Sequence, residues 1–374
     1  MTYSKIALSA FAATAITLTG CGGGSSTPTT PVATPTPTPV PAPTPTPTPI
    51  VSAKQDLTGQ ITADMTLTAD KVWRLNGLVT VENGATLTIE PGTIIVGKAG
   101  TGAATSYMII DKGSKIMAAG TVTKPIVFMS ETAYDGGADL VGQWGGLTII
   151  GNAGNAQVQP YEVDPRFVAG DTNPTDNSGV LQYVKILNSG ITMEENKEIN
   201  GLSMVGVGSG TVIENLTVNK SDDDCVELWG GTVNLTNVTV SECTDDHFDI
   251  DDGYSGTVKN LVINQTTGNA GIEMSGTTAA TFDGLNITVQ QSAKEGALYF
   301  KKSGIGGHFK NATIVYNIPA NGSGAIHSGS VAGFDAASTT FENVVLTGSS
   351  TEKFTGISAA SLETVFDAGA GNVK

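Results

Sequence analysis

The chain has 374 residues, of which 47 are glycine, and only 14% are charged. Nineteen Lys and Arg face 35 Asp and Glu, for a net charge of −16, so no basic surface is available for nucleic acid. An apolar share of 39% rich in Val, Ile and Thr suits a large all-β core and excludes a wholly disordered chain.

Residues 1–20 read as an export signal: Lys5, then an apolar run from Ile6 to Leu18 that is short for a bilayer span. The run ends in Leu18-Thr19-Gly20-Cys21, which resembles the bacterial lipobox. The resemblance implies a lipid on Cys21, hence a membrane partner through that anchor. Gly22 after the Cys is similar to outer-membrane sorting signals. The expected location is therefore the bacterial outer membrane, with the cell-surface side favoured over the periplasmic one. Residues 21–50 form a Gly/Ser/Thr/Pro-rich stalk with ten of the sixteen prolines. Thr-Pro alternation favours extended polyproline II, at about 3.1 Å per residue some 70 Å of reach over residues 27–50.

Residues 51–374 are expected to form one β-helix domain. Gly77–Ile89, Thr93–Val96, Tyr107–Ile116, Ile126–Met129 and Leu147–Ile150 read as its early turns, and residues 152–179, with Pro160, Pro165 and Pro174, as a long excursion. From residue 181 a six-residue pattern recurs: Leu181–Ile186, Ile213–Val218, Leu235–Val240, Val258–Ile263, Phe282–Ile287, Phe309–Ile314 and Phe341–Leu346. Spacings of 22 to 32 residues between short strands mark a solenoid. Its third position is Asn in five copies, Tyr183 and Gly284 in the others, which suits a left-handed bend and lets stacked amides bond one another. A second strand per turn places Val226/Leu228, Phe248/Ile250 and Ile272/Met274 inward, with Leu202/Met204 upstream and Ala297/Tyr299 downstream in the same columns. A short helix around Ser361–Phe366 would cover the open end. The predicted fold is all-β, a single right-handed parallel β-helix, with a two-sheet sandwich as the alternative.

Four stretches carry a resemblance: Leu78–Gly92, Gly206–Thr211, Asp223–Asn234 and Asp245–Asp249. They are similar to a group of bacterial β-helix surface lipoproteins, which implies the fold and the location but no particular chemistry. Asp223-Asp224-Cys225 also resembles the Asp pair of polygalacturonases, in the pectate lyase and polygalacturonase superfamily. Their Gly-His-Gly and Arg-x-Lys motifs have no counterpart here.

The densest carboxylates are Asp222, Asp223, Asp224 and Glu227, then Asp245, Asp246, Asp249, Asp251 and Asp252. Stacking sets Asp223 beside Asp245, Asp224 beside Asp246, and Glu227 beside Asp249 and Glu273. Like charges so placed need water, a cation or shifted protonation. The simplest reading is solvated turn residues. The second is a calcium site built from Asp223, Asp245, Glu227, Asp249 and Glu273, with Ca2+ as the cofactor. The third is acid/base catalysis by Asp224, Asp246 and Asp249. Trp229 should point outward beside this cluster, and Trp144, in a matching Trp-Gly-Gly context, is a second stacking platform for a sugar, unless it folds over its own glycines. Three scattered histidines, His247, His308 and His327, lack zinc-ligand spacing. Cys225 and Cys243 are offset by four positions on adjacent turns, beyond disulfide reach unless the turn curls back, so a bridge is not expected. The favoured function is a binding or adhesion scaffold for an extracellular glycan or envelope component. The alternative is a polysaccharide hydrolase or lyase.

Overall fold

The hydrophobic columns stack as their spacing requires. In a computed structural model describing residues 53–154, 160–170, 172–195, 197–290, 294–302, 304–318, 323–329 and 334–374, twenty-five strands pair into one continuous sheet. The pairings within it are parallel, so the sheet winds as a solenoid and not as a sandwich. The export signal, Cys21 and the stalk lie outside the described residues. No helix among the described residues is long and apolar enough to cross a membrane.

Each turn presents three faces. The first begins with Met65–Leu67, Thr86–Ile89, Lys115–Ala119 and Gly179–Gln182. The second begins with the first half of Val72–Val81, then Ile94–Gly97, Ile126–Ser130 and Val184–Ser189. From Val212–Ser221 onward, most turns cover both faces with one long strand bent in the middle. The third face is Tyr107–Ile110, Leu147–Ile150, Leu202–Val205, Val226–Trp229, Phe248–Asp251, Ala270–Met274, Gly296–Phe300, Ile326–Ser328 and Phe354–Gly356.

The bend between the first two faces falls on the third repeat position. Tyr183, Asn215, Asn237, Asn260, Gly284, Asn311 and Asn343 all have φ between 50° and 81°. Asn tolerates this region better than other side chains, and its amide is used as well. Asn237 Nδ2 donates to Asn215 Oδ1 (3.2 Å), Asn260 to Asn237 (2.9 Å) and Asn343 to Asn311 (3.3 Å).

Inside, the columns agree with the repeat. Leu181, Ile213, Leu235, Val258, Phe282, Phe309 and Phe341 lie in successive register. Phe282, Phe309 and Phe341 stack nearly face to face at 5.4 and 5.2 Å. The helix Ala359–Ala368 closes this end by setting Phe366 on Phe341 and Phe354, which extends the expected helix by two residues on each side.

Three expectations are corrected. Ile272 and Met274 pair with Leu298 and Phe300, so the downstream column is Leu298/Phe300 and Tyr299 faces outward. That is a one-residue slip, and with a period of two it exchanges inside for outside. Trp144 is fully buried and stacked on Phe128, with its Nε1 donating to the Leu187 carbonyl at 2.8 Å. Gly97 makes room for it, because a Cβ there would lie 2.5 Å from Trp144. It is a core residue, not a sugar platform. Cys225 and Cys243 form a disulfide, with Cα atoms 5.6 Å apart. The chain does curl back. Lys220 and Glu242, at φ 63° and 58°, turn it sharply at the corner between the second and third faces, and both thiols point inward.

Candidate functional site

The same corner builds the site. Its residues 222–224 and 244–246 sit one turn apart, held by the Cys225–Cys243 bridge and by main-chain bonds such as Thr244 N–H to Ser221 O. The third face then begins, and alternation sends Glu227, Asp249 and Glu273 outward in one column. Two acidic columns therefore run side by side up the stack.

They line a cavity of about 360 Å3, together with Glu162, Glu198, Asn200 and Lys301. Asp223, Asp224, Glu227, Asp246, Asp249 and Glu273 are each less than a tenth exposed. This overturns the simplest sequence reading, since these are not solvated turn residues. The excursion containing Glu162 and an antiparallel hairpin, Ile191–Glu194 with Lys197–Ile199, supply the covering residues, and neither contribution has a signal in the repeat.

Part of the acidity is structural. Asn200 Oδ1 accepts the Asp224 N–H (3.1 Å), Asp224 Oδ1 the Asp246 N–H (2.8 Å), and Asp246 Oδ1 the Ala270 N–H (2.5 Å). Each of these side chains ties down the amide one turn above. Asn200 also donates to Glu227, and Asn269 to Asp245. Two buried carboxylate oxygens have no hydrogen-bond partner, Asp223 Oδ2 and Asp249 Oδ1. Among the described residues the one cation lining the cavity is Lys301, whose Nζ lies 2.5 Å from Glu273 Oε1.

Burial and mutual repulsion set the protonation. Burial, with the charges of Asp245 and Glu198, pushes Asp223 up to about 8. Burial and Glu198 push Glu162 up to about 7. Asp224, Glu227, Asp246 and Asp249 are all driven well above the carboxylate range, first by burial and then by neighbouring carboxylates, Glu273 and Asp251 among them. Lys301 is held above its ordinary value, burial being outweighed by its bond to Glu273. His247 lies behind the cluster, wholly buried, and burial lowers it to about 4.

Such a cluster suits a hard divalent cation. Oxygens of Asp223, Asp224 and Asp245 lie within 4.8 Å of one another. So do those of Asp224, Glu227 and Asp249, and those of Asp246, Asp249 and Glu273. The expected ligands Asp223, Asp245, Glu227, Asp249 and Glu273 are thus brought together, and Asp224 and Asp246 join them. The unpartnered oxygens of Asp223 and Asp249 would suit a bound cation, since a buried anion without a donor is otherwise unfavourable. Trp229 is half-buried, packed edge-on against Tyr161 at 6.0 Å. The two line a smaller cavity of about 200 Å3 that shares Glu162 with the acidic one.

The class of protein follows from these parts: a parallel β-helix with a concave, carboxylate-lined site on one face. The chain belongs to the pectate-lyase-like β-helix domain family, whose model matches residues 59–372, and the helix is right-handed. Solved structures similar to it include the full-length tailspike protein 2 of Escherichia coli O157:H7 bacteriophage CBA120, at 17% identity and a TM-score of 0.33. The enzymatically active domain of that tailspike matches at 15% identity and a TM-score of 0.31. Each match covers 74% of this chain and 38% or 43% of the tailspike. No curated protein matches the chain.

Proposed function

We propose that this protein is a surface-displayed outer-membrane lipoprotein, anchored through Cys21, that binds an extracellular polysaccharide through calcium held in the acidic cavity. The observation that carries this reading is the set of three overlapping carboxylate triads, each with oxygens within 4.8 Å, in a cavity lined by a single cation. Calcium would be held by the triads Asp223, Asp224 and Asp245; Asp224, Glu227 and Asp249; or Asp246, Asp249 and Glu273. It would neutralise the site and offer open coordination positions to sugar carboxylates or hydroxyls. Trp229 and Tyr161 add an apolar surface beside it for a ring face. An anionic glycan is favoured, because the cavity without a cation would repel it and with one would attract it.

The test is retention of the purified protein on immobilised polygalacturonate and alginate. Retention in millimolar calcium, release by EDTA, and a loss of about tenfold or more for Asp249→Asn are expected. Equal retention in EDTA would remove calcium from the account. Anchoring is checked separately: Cys21→Ser should leave the membrane fraction, and protease added to whole cells should digest the unaltered protein.

A second reading is cleavage of the bound chain. Asp224, Glu227 and Asp249 stand within 4.8 Å, near the roughly 5 Å separation of retaining glycosidase carboxylates, and their raised protonation would leave an acid at neutral pH. New reducing ends or unsaturated products from the same polysaccharides, abolished by Glu227→Gln, would establish it.

A further inference from the structure

A cavity larger than the acidic one lies elsewhere on the solenoid. A groove of about 460 Å3 lies over the bend between the first and second faces, and it shares no residue with the acidic cavity. Its lining comes from five successive turns, from Thr121–Pro125 through Tyr183, Asn215 and Asn237 to Asn260. At about 4.8 Å per turn it runs some 20 Å along the stack. Its shape suits a linear chain.

The chemistry of the lining is repetitive. Three of the five turns offer an amide from the Asn ladder, and Thr121, Tyr183, Thr217 and Thr239 offer hydroxyls. In a chain with 35 carboxylates the groove is lined by none, and Lys185 is its single charged residue. At one end a tight hairpin, closed by Thr121 and Lys124, raises Val122 as an exposed apolar lip. Amides and hydroxyls that both donate and accept match the hydroxyls of a sugar. A peptide would seek unpaired main-chain groups, yet the strands forming this floor are paired on both sides. A polyanion would require more than one cation.

One residue points to selection for a ligand. Tyr183 occupies the ladder position where five other turns place Asn, and it has φ 50°. Left-handed backbone is an outlier for a bulky side chain, and strain of this kind persists at functional positions. Asn would relieve that strain, and its amide would extend the ladder below Asn215. The aromatic ring stands at the one ladder position where this groove begins. We infer that the groove is a second glycan site, for an uncharged linear oligosaccharide, with Tyr183 as its stacking platform and the Asn215–Asn237–Asn260 amides as its polar rail.

The experiment is titration of the purified protein, in EDTA, with cellohexaose, xylohexaose and maltohexaose, followed by calorimetry and saturation-transfer NMR. At least one should bind without calcium. Tyr183→Phe should keep that affinity, and Tyr183→Asn should lose it by tenfold or more while melting no lower than the parent. The unchanged melting point separates a lost ligand contact from a damaged fold. Failure of all three sugars to bind, a requirement for calcium, or undiminished binding by Tyr183→Asn would each overturn the inference. Because the groove and the acidic cavity share no residue and differ in calcium dependence, either site can fail without the other.

Discussion

Asp249 belongs to two of the three carboxylate triads and leaves one buried oxygen unpartnered, so its charge is the hardest to keep without a cation. Asp249→Asn should therefore raise the melting temperature in EDTA while weakening calcium binding about tenfold or more, read by scanning calorimetry and isothermal titration. A fall in both would mean that Asp249 serves the fold alone. The two tryptophans should part company in a similar way. Trp144→Ala, which empties the interior beside Phe128, should cost about 3–5 kcal/mol in urea unfolding. Trp229→Ala should cost much less and weaken retention on the glycan matrix. The acidic columns were legible in the sequence because a period of two fixes which of Val226, Glu227 and Leu228 faces out. Trp144 was not, because Trp144-Gly145-Gly146 and Trp229-Gly230-Gly231 read alike. Only Gly97, with three strands between it and Trp144 in sequence, shows that one of them has a hole to fill.

At the scale of the element, the corner between the second and third faces matters most. The bridge between Cys225 and Cys243 closes a short loop that contains Glu227 and is flanked by the two acidic runs, Asp222–Asp224 before it and Asp245–Asp246 after it. By chain entropy such a loop is worth about 3 kcal/mol, so Cys225→Ser with Cys243→Ser should lower stability by about that amount in denaturant unfolding. An unchanged midpoint would show that the corner holds itself. On the opposite bend, Asn237→Ala removes an amide bonded both to Asn215 and to Asn260 and leaves Ala at positive φ. A loss of about 1–3 kcal/mol is expected, with Asn237→Gly recovering the backbone share. The Asn bend announced itself by repetition. The corner did not, since Lys220 and Glu242 are unusual choices for left-handed backbone, and a register count along straight strands puts the two thiols out of reach.

For the whole molecule, the buried carboxylates tie stability to pH and calcium together. Acids whose folded values are raised favour the folded state when protonated, and that contribution fades as pH climbs toward those values. With Glu162 near 7 and Asp223 near 8, the metal-free protein should lose stability between pH 6.5 and 8. His247, near 4 against an ordinary 6.5, is neutral throughout that window and acts only below it, where falling pH destabilises. Millimolar calcium should flatten or reverse the decline, by several degrees in melting temperature. A pH-independent melting point in EDTA would contradict the burial of these groups. The solenoid itself was readable from its repeat, and the excursion carrying Tyr161 from its prolines, whereas the Ile191–Ile199 hairpin and the residues both lend to the site lie outside the period and left no such trace. The stacking also has a mechanical consequence. Each turn grips its neighbours alone, and the chain enters at one end of the stack and leaves under the helix Ala359–Ala368 at the other. Tension applied ahead of Gln55 would peel turns singly, like thread from a spool. The outermost windings would serve as a fuse, lost and rewound many times before the load reached the acid-lined turns in the middle.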